Sequence, residues 1–161
     1  VNFTNYKLSD KAKSYITTSR YYLGGYNNDP PITNEMYGYE RGTLRDDTDR
    51  PLYWDGMVGL MYPSDYGYAS GNTCVNGTKL YKYSGGCMNK DWLYISNTMQ
   101  WLMSPYLSTY FGLFGVSSLG YVGYNNIFVY DANSARPVFY LNSSASISKG
   151  DGTLNAPYIL S

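Results

Sequence analysis

The chain has 161 residues, and its 12 Lys and Arg balance 12 Asp and Glu. That length suits a single domain with a real hydrophobic core, and the zero net charge gives nothing with which to draw nucleic acid or an anionic membrane surface. Twenty-one residues are tyrosine and none is histidine, so the commonest general base and the commonest metal ligand are both missing.

From the N-terminus, Leu8-Ser9-Asp10 offers a helix cap, and Ala12, Tyr15, Ile16 and Ser19 recur at helical spacing. This predicts a first helix that Leu23-Gly24-Gly25 stops. Asn27-Asn28-Asp29-Pro30-Pro31 reads as a loop, after which Thr33 caps a short second helix through Met36, Tyr37 and Glu40, ended by Gly42. Residues 43–53 are polar and predict a surface loop. Met57 to Met61 is a short apolar run that predicts a buried strand, and Pro63-Ser64-Asp65 starts one turn of helix through Tyr68. Residues 70–91 are rich in loop formers. Beyond Trp92, short apolar runs alternate with turns: Trp101 to Met103 before a Ser104-Pro105 break, Phe114 to Ser117, Leu119 to Val122 around a Ser118/Gly120 turn, Ile127 to Tyr130, and Val138 to Leu141. Such runs predict a small antiparallel sheet. Helices early and strands late predict one α+β domain over residues 1–161, two N-terminal helices packed beside a small twisted antiparallel sheet with long loops.

No stretch approaches the roughly 18 consecutive apolar residues that a membrane span needs. The chain opens at Val1 rather than Met, so a processed or truncated product is expected, an ectodomain attached to a membrane only through an upstream segment. Cys74 and Cys87 flank a polar, Gly-rich segment. Two cysteines closing a short loop in a chain without His suit a disulfide better than a metal site. Two unpaired thiols in a cytosolic protein are the alternative. The low charge and the abundance of Tyr, Asn, Ser and Gly favour the exported form. Tyr supplies rigid amphipathic surface at low entropic cost while Ser, Gly and Asn supply adaptable hydrogen bonds, the composition of a binding surface. Tyr is equally a good strand residue, which requires no ligand.

Three segments occur in order: Asp91-Trp92-Leu93-Tyr94, Trp101-Leu102-Met103-Ser104-Pro105 and Ala135-Arg136-Pro137-Val138-Phe139-Tyr140-Leu141. Gly150-Asp151-Gly152-Thr153 and Pro157-Tyr158 follow them, and the stretches 35–42 and 59–69 precede them. The ordered set resembles the C-type-lectin-like domain of bacterial surface proteins with a prepilin-type leader. It is similar as well to the variable proteins of diversity-generating retroelements. The resemblance implies an extracellular or cell-surface location. It implies a partner that is a protein or glycan on another cell, a phage or a surface, or else pilus subunits. In the diversified proteins, adenine-directed mutagenesis varies a ligand face near the C-terminus, and residues 106–134 are rich in the residue types it produces. A non-variable minor-pilin or surface structural subunit fits the same motifs, and a carbohydrate-active hydrolase is the more distant alternative.

Alternation sorts residues 106–134. If Phe114, Val116, Ser118, Gly120, Val122 and Ile127 form the buried or turn-defining set, then Gly115, Ser117, Leu119, Tyr121 and Tyr124 to Asn126 face outward. With the loop after Pro105 and the last strand, the expected ligand face is Tyr106, Leu107, Thr109, Tyr110, Phe111, Leu119, Tyr121, Tyr124, Asn125, Asn126, Phe128 and Tyr130. Trp92, Trp101 and Arg136 are expected as structural anchors, the tryptophans burying area and the cation finding a partner in an apolar stretch. Asp46, Asp47 and Asp49 cluster carboxylates as a calcium site would, but Arg45 and Arg50 neutralise them and no EF-hand spacing is present. No cofactor is expected, and Asp151 is read as a turn former. Asn2-Phe3-Thr4, Asn76-Gly77-Thr78 and Asn142-Ser143-Ser144 match the glycosylation sequon, as chance allows in so polar a chain. Catalytic motifs such as G-x-S-x-G, a P-loop or H-E-x-x-H are absent from the sequence, so binding is expected rather than enzymatic activity. A glycosidase could still pair two carboxylates drawn from Glu35, Glu40, Asp55, Asp65 or Asp91.

Overall fold

Ser9 caps the first helix as its place in the sequence suggests, its Oγ accepting from the Ala12 N–H at 3.1 Å. The structure is a computed structural model and describes residues 8–43, 51–83, 85–109, 112–124, 132–153 and 155–161. Helix α1 spans only Asp10–Ser14, well short of the helix expected to reach Leu23. Three β-branched residues, Ile16, Thr17 and Thr18, follow at once, and such side chains favour extended backbone. The chain therefore continues as β1 (Ile16–Thr17) and β2 (Ser19–Tyr22). Helix α2 (Thr33–Glu40) lies where the pattern places it, with Ile32 rather than Thr33 at the cap, and turns Thr33, Met36 and Glu40 inward. Strand β3 (Tyr53–Gly56) pairs antiparallel with β2, setting Tyr21 opposite Trp54.

The apolar run around Val58 contributes β4 (Gly59–Leu60), and α3 follows at Pro63–Tyr68. Pro63 sits where a missing N–H costs nothing, and Asp65 Oδ2 accepts from the Tyr62 N–H at 2.8 Å. The segment expected as loop holds α4 (Asn72–Gly77) and two 3-10 turns, Leu80–Lys82 and Met88–Lys90. Cys74 and Cys87 are bonded across it, with Cα atoms 5.7 Å apart.

The larger sheet is built from β5 (Gln100–Pro105), β6 (Leu113–Val116), β7 (Val122–Gly123) and β8 (Ser134–Ala135), in the order β7-β6-β5-β8. It is not wholly antiparallel: β8 runs parallel to β5, as a long return connection permits. Ser104-Pro105 does not break β5, because Pro105 still pairs with Leu113. Strand β9 (Pro137–Val138) then pairs with β4, and β10 (Tyr140–Leu141) with β1. The C-terminal residues form a hairpin of β11 (Ile147–Lys149) and β12 (Ile159–Leu160). Asp151 Oδ1 accepts from the Thr153 N–H at 3.0 Å in the connecting turn. The architecture is mixed α+β, with short helices and small, largely antiparallel sheets.

Tyrosine is a core residue here as much as a surface one. Tyr21, Tyr62, Tyr66, Tyr83 and Tyr106 are buried. Burying a side chain of this size contributes roughly 2 kcal/mol, provided the hydroxyl is hydrogen-bonded. Each of four hydroxyls donates to a backbone carbonyl: Tyr21 to Val138 (3.1 Å), Tyr62 to Tyr22 (2.9 Å), Tyr66 to Gly120 (2.8 Å) and Tyr83 to Gly67 (3.1 Å). The hydroxyl tips thus tie the core to β9, β2, the turn at Gly120 and α3.

Gly120, which receives the Tyr66 hydroxyl, turns β6 into β7 with φ +80°. A Cβ there would run into the Met88 side chain. Gly120→Ala is expected to cost about 1–2 kcal/mol, from the left-handed backbone and the crowding together. Urea unfolding checks this: the midpoint should fall while the slope stays unchanged.

Candidate functional site

Of the residues expected to form one ligand face, those within the described residues divide between core and surface. Tyr106 and Leu107, placed by sequence on an exposed loop, are buried. The cause is the continuation of the β5 ladder: Tyr106 N–H donates to Gly112 O at 3.0 Å and Leu107 N–H to Tyr26 O at 2.9 Å. Tyr106 is thereby carried onto Phe114, with ring centroids 5.6 Å apart, and under Tyr124, stacked at 3.6 Å. Tyr124 is half-buried by that stack. Phe114, Val116 and Val122 face inward as alternation predicts. Gly115 and Ser117 are also buried, against expectation. Thr109 is exposed, and the turn between β6 and β7 presents Leu119, 64% exposed, beside the more modestly exposed Tyr121. Tyr110, Phe111, Asn125, Asn126, Ile127, Phe128 and Tyr130 lie outside the described residues, as does the Arg45–Arg50 carboxylate cluster.

Trp92 is the larger surprise. Expected as a buried anchor, it is 75% exposed. The reversal is local in origin. Asp91 Oδ1 accepts from the Leu93 N–H at 2.9 Å, and Tyr94 N–H donates to Asp91 O at 3.2 Å. This Asx turn buries Leu93 and directs its neighbour outward. Asp91 itself is buried, and its Oδ2 has no partner among the described residues. Burial pushes its carboxyl up to about 7, against the opposing pull of the Leu93 and Tyr94 N–H groups and the Arg136 charge.

Trp92 stands on the wall of an open cleft of about 650 Å³. Tyr68 of α3 and Phe139 and Tyr140 of the β9–β10 segment complete an aromatic wall, all three exposed. Met61, Leu93 and Val138 supply the apolar floor, and Asp65 and Arg136 supply charge. The fold explains this meeting. Arg136 lies where the chain leaves β8, paired with β5, and enters β9, paired with β4. Its Nη2 donates to Leu93 O at 3.2 Å, which ties the switch point to the Trp92 turn. Its Nε is buried without a partner among the described residues. Arg136 is half-buried, and it also lines the cleft. Burial raises the Asp65 carboxyl, while the Tyr62 N–H and the Arg41 charge hold it down. Trp101 is half-buried in β5, with its indole Nε1 enclosed and without a partner among the described residues.

The chain matches no family model, no curated protein and no solved structure. Chemically, the cleft combines flat apolar faces with one carboxylate and one guanidinium. Among the described residues, no group of three or more His, Cys, Asp or Glu side chains is placed to hold a metal ion. Concave, mostly apolar sites with a few convergent polar groups are the usual form of a ligand site. Sequence reasoning treated Trp92 and Arg136 as scaffold because both lie in apolar stretches. The signal that could have found them is Asp91: an Asp preceding Trp-Leu is an Asx-turn former, and such a turn places consecutive side chains on opposite sides.

Proposed function

We propose that this chain is a recognition domain of C-type-lectin-like type, displayed at a cell surface, that holds its partner in the Trp92 cleft. The observation that carries the reading is Trp92, a large aromatic side chain left in solvent on a concave wall beside Asp65 and Arg136. Exposed aromatics around a few fixed polar groups are what binding hot spots are made of. The ordered motifs support the fold-family part, since Asp91-Trp92-Leu93 and Ala135-Arg136-Pro137 build two sides of one cleft. The Leu119–Tyr121 turn offers a second contact surface, and it falls within the stretch that diversification would vary. A neighbouring reverse transcriptase gene with a template repeat covering residues 106–134 tests that form of the reading.

Trp92→Ala should weaken partner binding by about 1–2 kcal/mol or more and leave the melting temperature unchanged, since the side chain is exposed. Binding to whole cells, measured beside thermal unfolding on the same variant, separates the two effects. Undiminished binding would remove the cleft from the proposal. The C-terminal hairpin favours a second reading, that of a surface-assembly subunit, because Ile147, Tyr158 and Ile159 are each more than half exposed. Sedimentation of the chain at increasing concentration tests it.

A further inference from the structure

We propose that Tyr106 and Tyr124 form a site of oxidative modification, where hydrogen peroxide activated by a haem peroxidase joins the two rings as a dityrosine crosslink within one chain. Their ring centroids are 3.6 Å apart and their planes differ by 4°. Aromatic pairs left to themselves prefer offset or edge-to-face contact over such a sandwich. Phe114 follows that preference, standing edge-on to Tyr106 at 77° and to Tyr124 at 80°. The backbone imposes the sandwich. Tyr106 is held by its N–H to Gly112 O and by the bridge to Tyr26, and Tyr124 follows directly on β7. The Tyr124 phenol is raised first of all by the Tyr106 hydroxyl beside it. The two oxygens therefore lie at the same end of the stack, and the ortho carbons of one ring lie over those of the other.

A phenol that gives up one electron and its proton becomes a phenoxyl radical, with its unpaired electron shared among the oxygen and the ortho and para carbons. At those carbons the electron occupies p orbitals normal to the ring, so face-to-face rings aim them at each other. Reaction is favoured when the atoms stand about 3–3.5 Å apart with orbitals aligned, and this stack comes close to that. The balance is as follows. Each phenol surrenders a proton and an electron to the oxidant, and the two radicals pair to form one Cε–Cε bond. The hydrogen on each joined carbon then leaves as a proton while each phenol oxygen regains one. Two hydrogen atoms leave the chain, and one hydrogen peroxide becomes two waters. Tyr26 and Tyr39, at 4.2 Å and 30°, and Tyr66 and Tyr83, at 6.1 Å and 49°, meet the requirement less well. Tyr124 is only half-buried, which admits the oxidant and gives its ring room to turn as the joined rings regain their aromaticity. The bond would link the residue after β5 to the residue after β7, enclosing β6 and the Leu119–Tyr121 turn in a covalent loop.

The test treats the dilute, disulfide-bonded chain with a haem peroxidase and limiting hydrogen peroxide, isolates the monomer and maps its peptides by mass spectrometry. The expected product is a monomer lacking two hydrogen atoms, with dityrosine fluorescence and with the peptides of Tyr106 and Tyr124 joined. It should need more urea to unfold than the untreated chain, because the crosslink closes a loop in the unfolded state. Oxidation of the chain already unfolded in urea should not yield this link, since the stack is then lost. Tyr124→Phe keeps the ring and removes the phenol, so it should melt with the parent before oxidation and lose most of the dityrosine of the monomer after it. Folded monomer without dityrosine, a link confined to Tyr26 and Tyr39, or links found only between molecules overturn the proposal. So does an equal yield in urea, or a Tyr124→Phe chain that forms as much dityrosine as the parent.

Discussion

Replacing Cys74 and Cys87 together by alanine is expected to lower the stability of the fold by about 3 kcal/mol. The bond closes a loop of sequence separation 13 that carries Leu80 and Tyr83, both fully buried. That loop includes only half of α4 and a short 3-10 turn as regular structure, so without the crosslink the unfolded chain regains most of the freedom the bond removes. The native state also loses a covalent tie between α4 and the segment leading to Asp91. For a domain of this size the melting temperature should drop by about 6–12 °C. Urea unfolding of the parent chain with and without reductant, beside the double variant, checks the figure. A double variant within about 1 kcal/mol of the parent would mean that packing around Leu80 and Tyr83 holds the loop without the bond.

Stability should also fall as the pH rises from about 5 to about 8, and Glu40 and Asp91 are the reasons. The Glu40 side chain is fully buried at the end of α2. It accepts from the Ser64 N–H at 2.7 Å, from the Ser64 hydroxyl and from Arg41 Nη1 at 3.0 Å, so that it caps the first turn of α3 from below. Burial outweighs these contacts and pushes the carboxyl from 4.5 up to about 7. Between those values the folded chain holds a proton that the unfolded chain releases. Stability is therefore greatest at the acid end of the window, declines through it and levels off above about pH 7. Asp91, raised from 3.8 to about 7, acts in the same sense. The shifts correspond to at most about 3 kcal/mol for Glu40 and about 4–5 kcal/mol for Asp91. The exposed Arg20–Asp55 pair, 2.9 Å apart, works in the opposite direction by holding its carboxyl down, but solvent screens it. Glu40→Gln should flatten the decline, since the amide mimics the protonated acid. Glu40→Ala should cost about 3 kcal/mol or more across the window, by leaving Ser64 and Arg41 without their buried acceptor. Denaturant unfolding at pH 5, 6, 7 and 8 on the three proteins reads both effects. A parent chain that gains stability toward pH 8 would show that Glu40 folds as a carboxylate.

Much of the candidate site was hidden in the sequence for a reason that Trp92 and Tyr106 share. Both are aromatic residues in apolar stretches, and composition alone assigns both to whichever side the stretch is thought to face. Trp92 is exposed because Asp91 closes an Asx turn beneath it. Tyr106 is buried because a partner strand extends past Pro105 and a bridge from Tyr26 receives it. The first cause is local and could be read. The second depends on a residue 80 positions away in the chain, and no periodicity in residues 106–124 contains it.

What the sequence determined by itself is the local chemistry: the Ser9 cap, α2 between Pro31 and Gly42, the Pro63 start of α3, the Gly120 turn, the Asp151 turn and the inward set Phe114, Val116 and Val122. Each follows from interactions among residues a few positions apart, which act whatever the rest of the chain does. Only the tertiary structure decided that residues 16–22 are strands, because β10 and β3 must supply their hydrogen bonds from far along the chain. It alone decided that β8 lies parallel to β5 and that Arg136, at the crossing between two sheets, meets Trp92, Asp65 and Tyr68 around one cleft. Strand pairing and burial are settled by the competition among all segments for partners and for the core, and that competition exists only once the chain is folded.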